Sequence, residues 1–132
     1  MSIPKQWHLD PKWRGRLIAE QQLMRDRFPS FELRRGREND LYWVGYLVPV
    51  PGVVFRVAIR YPRTYPYNAP TLQVLEPQLH PGAPHRYADS EGTICIHKQA
   101  WDPATGTAAS IVPLAAAWLV AYCDWLVTGE TF

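Results

Sequence analysis

Cys95 is the residue of this chain best suited to covalent chemistry. It closes the run Gly92-Thr93-Ile94-Cys95, lies ten residues after His85, and precedes Trp101-Asp102-Pro103 by six. The thiolate is the nucleophile, and an unperturbed thiol with a pKa of ~8.5 is only a few per cent ionised at neutral pH. His97, Lys98 and the free amides that follow a glycine turn are the neighbours able to favour the anion. Reactive groups concentrate on loops held by a rigid scaffold, and this stretch reads as one. Cys123, the other cysteine, sits inside an apolar run and is assigned to packing.

Two other chemistries use the same residues. His80, His85, Cys95 and His97 fall within eighteen residues. Structural zinc, however, is held by paired ligands at short spacings with two or more thiolates, and here there is a single Cys-x-His. The expectation is no metal and no cofactor. A cysteine hydrolase with His85 or His97 as base remains open, since it needs a third group to orient the base, which spacing alone does not identify.

The 132 residues fit one domain, 1–132, large enough to bury a core without a metal or disulfide. Two cysteines in such different contexts read as reduced thiols of a cytoplasmic protein. The segment Met1 to His8 has no apolar stretch followed by a small-residue cleavage site, so no secretory signal is expected. A net charge of +2 argues against nucleic acid or membrane as the partner. The charge is nevertheless uneven, with nine Lys and Arg against four Asp and Glu through Arg37, and five against eight beyond it. That excess is either a solvated helix face or a surface that meets an acidic partner.

The elements that must position Cys95 follow from local patterns. Asp10-Pro11 opens a helix running to Phe28, because Asp accepts hydrogen bonds from the first free amides and Pro lacks the donor that would go unsatisfied. Trp13, Leu17, Ile18, Met24 and Phe28 form its apolar face. Short strands are expected at Phe31 to Arg35, Leu41 to Val50, Val53 to Tyr61, and around Leu72 and Val74. The alternation of Phe55, Val57, Ile59 and Tyr61 with Arg56 and Arg60 marks a half-buried strand. Gln78 to Ala109 has no periodicity and reads as a long functional loop. Ser110 is expected to cap a last helix that tolerates Pro113 in its first turn. The apolar run Ile111 to Cys123 is too short to span a bilayer and reads as a core helix. One helix, four antiparallel strands, a loop and a helix make an α+β fold.

In that order the motifs resemble the ubiquitin-conjugating enzyme (UBC-fold) family. The resemblance rests on Tyr65-Pro66-Tyr67-Asn68-Ala69-Pro70, Gly92-Thr93-Ile94-Cys95, Trp101-Asp102-Pro103 and the helix after Ser110, and it covers nearly the whole chain. It implies an N-terminal helix, a four-stranded meander, an active-site loop and a central helix, without the last two helices of the larger members. The family's His-Pro-Asn begins ten residues before the cysteine, which lands on His85-Arg86-Tyr87: His is kept, Pro and Asn are not. The Asn stabilises an oxyanion in the eukaryotic enzymes, and losing such a donor costs ~2.7–4 kcal/mol of transition-state stabilisation. Tyr87 could offer a phenolic hydroxyl instead. His-x-Tyr before Gly-x-x-Cys is similar to the bacterial branch, including the conjugating-enzyme-like proteins of CBASS anti-phage defence operons.

What the resemblance implies is a transferase. Cys95 would accept, as a thioester, the C-terminal carboxyl of a ubiquitin-like protein or of a cGAS-like nucleotidyltransferase and pass it to a lysine, with an activating enzyme as a further partner. His85, Tyr87 and His97 would assist at the site. Trp101, Asp102, Pro103 and Tyr65 would line it for substrate, and Arg14, Arg16, Arg25 and Arg27 would dock a partner. The alternatives are a non-catalytic module on the same fold and a hydrolase that removes such conjugates.

Overall fold

Asp10 opens the first helical segment, its carboxylate accepting from the Lys12 amide, with Pro11 at the first position. A short 3-10 turn, Pro11–Trp13, leads directly into helix α1, Arg14–Arg27, which stops one residue before Phe28. The structure is a computed structural model and describes residues 5–86, 92–94 and 101–132. Strand β1 is Glu32–Arg35, β2 Leu41–Val50, β3 Val53–Arg60, β4 Thr71–Glu76 and β5 Thr93–Ile94. Helix α2, Ala108–Thr128, comes last.

The strands form one antiparallel sheet in the order β1-β2-β3-β4-β5. Val53 pairs with Val50 across the Pro51-Gly52 turn, as that dipeptide signals. Phe55, Val57 and Ile59 alternate into the core, and the Phe55 ring meets Tyr122 of α2 edge-on. On the other face of the sheet the Arg60 guanidinium lies over the Tyr42 ring and reaches Gln73 and Asp40. Helix α2 crosses the inner face against β2, and α1 packs beside α2.

Three expectations change. A fifth strand exists within the segment read as loop, because Ile94 pairs with Leu72 and Thr93 with Gln73. Two residues are too few to show a period of two, so the pattern could not announce it. The cap of α2 is Thr107 rather than Ser110. Thr107 accepts from the Ser110 amide while the Ser110 hydroxyl accepts from the Thr107 amide, so Ser110 is the far partner of a reciprocal capping box. Finally, Ile18 is 59% exposed, and the buried positions of α1 are Glu20 and Met24.

Helix α2 is 21 residues long, with Asp124 inside it, so by length and composition it could cross a membrane. The argument from a short apolar run therefore fails, and packing decides instead. Ala108, Ile111, Val112, Ala115, Trp118, Leu119 and Tyr122 are buried on one side in the core shared with the sheet. The opposite side leaves Val120 and Val127 exposed, while Leu114 at the flank and Leu126 in the last turn are exposed as well. The helix is thus a core helix with one uncovered face.

Candidate functional site

The chain that leads into Cys95 is fixed by β4. Val74 donates its amide to the Gly92 carbonyl at 2.8 Å, and Gly92 takes φ +78°, a left-handed backbone that favours glycine. A Cβ there would sit 2.3 Å from the Val74 carbonyl oxygen, so the close approach itself excludes a side chain. Ile94, 2% exposed and paired with Leu72, then anchors the residue just before Cys95 in the core. Cys95, His97 and Tyr87 lie outside the described residues.

His85 is described. It stands one residue from Arg86, which bridges Ile94 in antiparallel sense, so the chain carrying His85 runs beside the chain that leads to Cys95. Its backbone has φ +60°, unusual for a residue with a side chain. The exposed ring places Nε2 2.5 Å from the Phe132 carbonyl oxygen and packs on the Phe132 ring at 5.7 Å. His80 is occupied otherwise: its Nδ1 accepts the Gly82 amide and its ring meets Trp125. Among the described residues no three His, Cys, Asp or Glu side chains converge on one point.

On the far side of Cys95 the chain is pinned again. Trp101 donates its indole N–H to the Pro66 carbonyl at 2.7 Å, and its ring lies 6.1 Å from that of Tyr65. Asp102 turns inward on its own loop, its carboxylate accepting from the Ala104 amide and its carbonyl from the Gly106 amide. The turn ends at the N-terminus of α2. Pro103 is half-buried, and its carbonyl is one of the acceptors described next.

Those acceptors are served by α1. Arg16 donates from Nη1 to the Pro103 carbonyl at 2.7 Å, and from Nη2 to the Gly106 carbonyl at 2.5 Å and the Tyr65 hydroxyl at 3.1 Å. Its guanidinium lies 4.9 Å from the centre of the Tyr65 ring. One turn further along, Glu20 is 1% exposed. Its carboxylate accepts from the Tyr65 hydroxyl and from the Ala108 amide, the first free donor of α2. Burial pushes the Glu20 carboxyl up to about 7, although the Ala108 N–H and the Arg16 charge pull the other way. The same desolvation, followed by the Glu20 charge, raises the Tyr61 phenol well above its ordinary range.

This geometry revises two expected roles. Tyr65 does not line an open site: it is buried, and its ring is packed against Trp7, Tyr61 and Trp101. Arg16 does not join the other arginines at the surface, because three oxygen acceptors of the chain itself draw its guanidinium inward. Arg14, Arg25 and Arg27 are exposed. Glu20 was missed altogether. Its signal was present in the spacing, since Trp13, Leu17, Glu20 and Met24 follow the i, i+4, i+7, i+11 rhythm of one helix face, which puts a carboxylate in the middle of an apolar stripe.

A meander flanked by an N-terminal helix and a core helix, with the candidate nucleophile falling in sequence between β5 and a tryptophan-anchored turn, defines the ubiquitin-conjugating fold. The solved structure of human ubiquitin-conjugating enzyme E2 G1 is similar with a TM-score of 0.55 and 25% identity, over 80% of this chain and 94% of that one. A probable ubiquitin-conjugating enzyme E2 31 of Arabidopsis thaliana is 26% identical over 103 residues, which is 73% of this chain and 64% of that protein. The chain belongs to the Type II CBASS E2 protein family, whose profile matches residues 20–131.

Proposed function

We propose that this protein is an acyl carrier of the ubiquitin-conjugating kind, acting in the cytoplasm in anti-phage defence. The Cys95 thiolate attacks the carbonyl carbon of an activated C-terminal carboxyl, either an acyl adenylate or a thioester on an activating enzyme. A C–S bond forms as the adenylate or thiolate leaves. A lysine amine then attacks the same carbon, the C–N bond forms, the C–S bond breaks, and Cys95 departs as thiolate while the amine proton passes to a base. Because thiolate leaves readily, aminolysis of a thioester needs little further catalysis.

The observation that carries this reading is the fixed approach to Cys95: Gly92 locked on Val74, Ile94 buried on β4, and Trp101 pinned to Pro66. Two rigid anchors on either side of a cysteine suit a nucleophile that must meet a carbonyl and an amine in turn. Membership of the Type II CBASS E2 family supports the same kind of chemistry. The carried protein is a ubiquitin-like protein or a cGAS-like nucleotidyltransferase with a flexible C-terminal tail. His85, beside the approaching chain, is the base or loop-shaping residue of the transfer, and Tyr87 and His97 share that role.

The test uses a tail peptide ending in glycine, supplied as a thioester of a small mercaptan, with intact mass as the readout. Wild type and Cys123→Ser are expected to gain one peptide that thiols remove, Cys95→Ser to gain an ester that thiols do not remove, and Cys95→Ala to gain nothing. An adduct that persists in Cys95→Ala, or wild type that acquires none, overturns the reading.

A further inference from the structure

Between α1 and α2 lies a largely buried polar arrangement that takes no direct part in the bond changes at Cys95. Arg16 and Glu20 stand four residues apart on the inner face of α1 and grip opposite ends of one turn. The guanidinium takes two carbonyls, Pro103 and Gly106, and the carboxylate takes the Ala108 amide at the start of α2. Each charge matches what it meets: a cation faces carbonyl oxygens, and an acid faces the positive end of a helix. The Tyr65 hydroxyl joins them, accepting from Arg16 and donating to Glu20.

The turn matters because of what rests on it. Gly106 lies so close under the Trp101 ring that a Cβ would approach the ring carbons to 2.5 Å. Its carbonyl is the one that Arg16 holds at 2.5 Å. Fixing Gly106 therefore fixes the floor beneath Trp101, while the Pro66 carbonyl holds the edge of the same ring. Trp101 in turn ends the six-residue stretch that begins after Cys95. A helix distant in sequence thus helps to hold Trp101, the first described residue after Cys95.

We infer that Arg16 is a positioning residue for the transfer of the acyl group from Cys95 to an amine, acting through Gly106 and Trp101. The inference rests on the acyl-carrier reading above. Loading from a small thioester needs only an accessible thiolate, whereas discharge needs an amine and a carbonyl held in line, and a misplacement of about 1 Å can cost on the order of a hundredfold in such a step. Loosening Trp101 therefore acts on the second step. Lysine in place of Arg16 keeps the charge but presents a point donor where the guanidinium presents a planar fork, so it cannot hold both carbonyls in the same way.

The experiment loads full-length wild type, Arg16→Lys, Gly106→Ala and Ile18→Ala with the glycine-ended peptide thioester, then follows discharge to free lysine over a range of lysine concentrations. Melting temperature is measured for each protein. Ile18→Ala, on the exposed side of α1, is expected to match wild type. Arg16→Lys and Gly106→Ala reach Trp101 from two independent directions. Both are expected to load within about twofold of wild type and to discharge ~10-fold or more slowly at saturating lysine. Discharge at the wild-type rate in both variants overturns the inference and leaves the acyl-carrier reading standing. A parallel loss of loading and discharge that follows the fall in melting temperature overturns it as well, by making the clamp purely structural. Wild type that fails to load overturns the acyl-carrier reading and the inference with it.

Discussion

Arg14 and Arg16 are two residues apart on α1, yet one lies in solvent with Arg25 and Arg27 while the other ends inside the molecule on Pro103 and Gly106. On the outer face, exposed charge is available to a partner and contributes little to folding. On the inner face, charge is partly or wholly removed from water and is tolerable because the two Nη atoms of Arg16 and the Glu20 carboxylate meet polar complements, although the Arg16 Nε does not. The contrast shows that a basic helix has two distinct uses for arginine. Which use a given residue serves follows from its angle around the helix axis and from what the neighbouring turn leaves unsatisfied.

The comparison is broken most forcefully at Glu20. Glu20→Ala strands the Tyr65 hydroxyl proton and the Ala108 amide in the interior, an expected loss of ~2–5 kcal/mol in urea unfolding. A loss under 1 kcal/mol would place the carboxylate in water after all.

The same residue gives a pH test with a definite sign. A carboxyl whose folded pKa is raised holds its proton more tightly folded than unfolded. It therefore contributes stability that is fully present below the unfolded value, near 4.5, and is lost as pH rises through about 7. The groups facing Glu20 are Arg16 on its own helix, Tyr65, Tyr61 at the end of β3, and the N-terminus of α2. Glu20→Gln removes the titration. Its stability relative to wild type is expected to improve between pH 4.5 and pH 8 by up to ~3 kcal/mol, read from unfolding curves across that range. A difference that stays flat with pH would show that Glu20 titrates as an ordinary carboxyl.

Arg16→Ala comes next in size. Two carbonyls and a hydroxyl lose a charged donor, with an expected cost of ~1–3 kcal/mol. The smallest effect lies outside. Arg14→Ala, Arg25→Ala and Arg27→Ala are each expected to change stability by no more than about 0.5 kcal/mol. If any of these matched Arg16→Ala, the division of the helix into two faces would fail.

How much of this could be read from sequence depends on how far apart the interacting residues are. The start of the first helical segment is legible because Asp10-Pro11 acts on its immediate neighbours, although a 3-10 turn precedes α1 there, and β3 is legible because Phe55, Val57 and Ile59 repeat at a fixed interval. By residue type Ile18 belongs on the buried face and Glu20 on the exposed one, and only the phase of the helix reverses them. Nothing near Arg16 in the sequence shows that it leaves the surface, because its acceptors lie some ninety residues further along the chain. The same separation hid the burial of Tyr65. The Tyr65-Pro66, Gly92 and Trp101 landmarks were legible in order, but their mutual support, through Pro66 on Trp101 and Trp101 over Gly106, is a property of the folded state.

Gly92 carries a consequence for how this gene can vary. Every first- or second-base change in a glycine codon that still encodes an amino acid adds a side chain, and at this position the first carbon of any side chain would meet the Val74 carbonyl at 2.3 Å. Only a synonymous third-base change therefore leaves this position as it is. A lineage that keeps β5 on β4 inherits Gly92 unchanged, three residues before the cysteine, while the positions between them remain free to drift only as far as their own contacts permit.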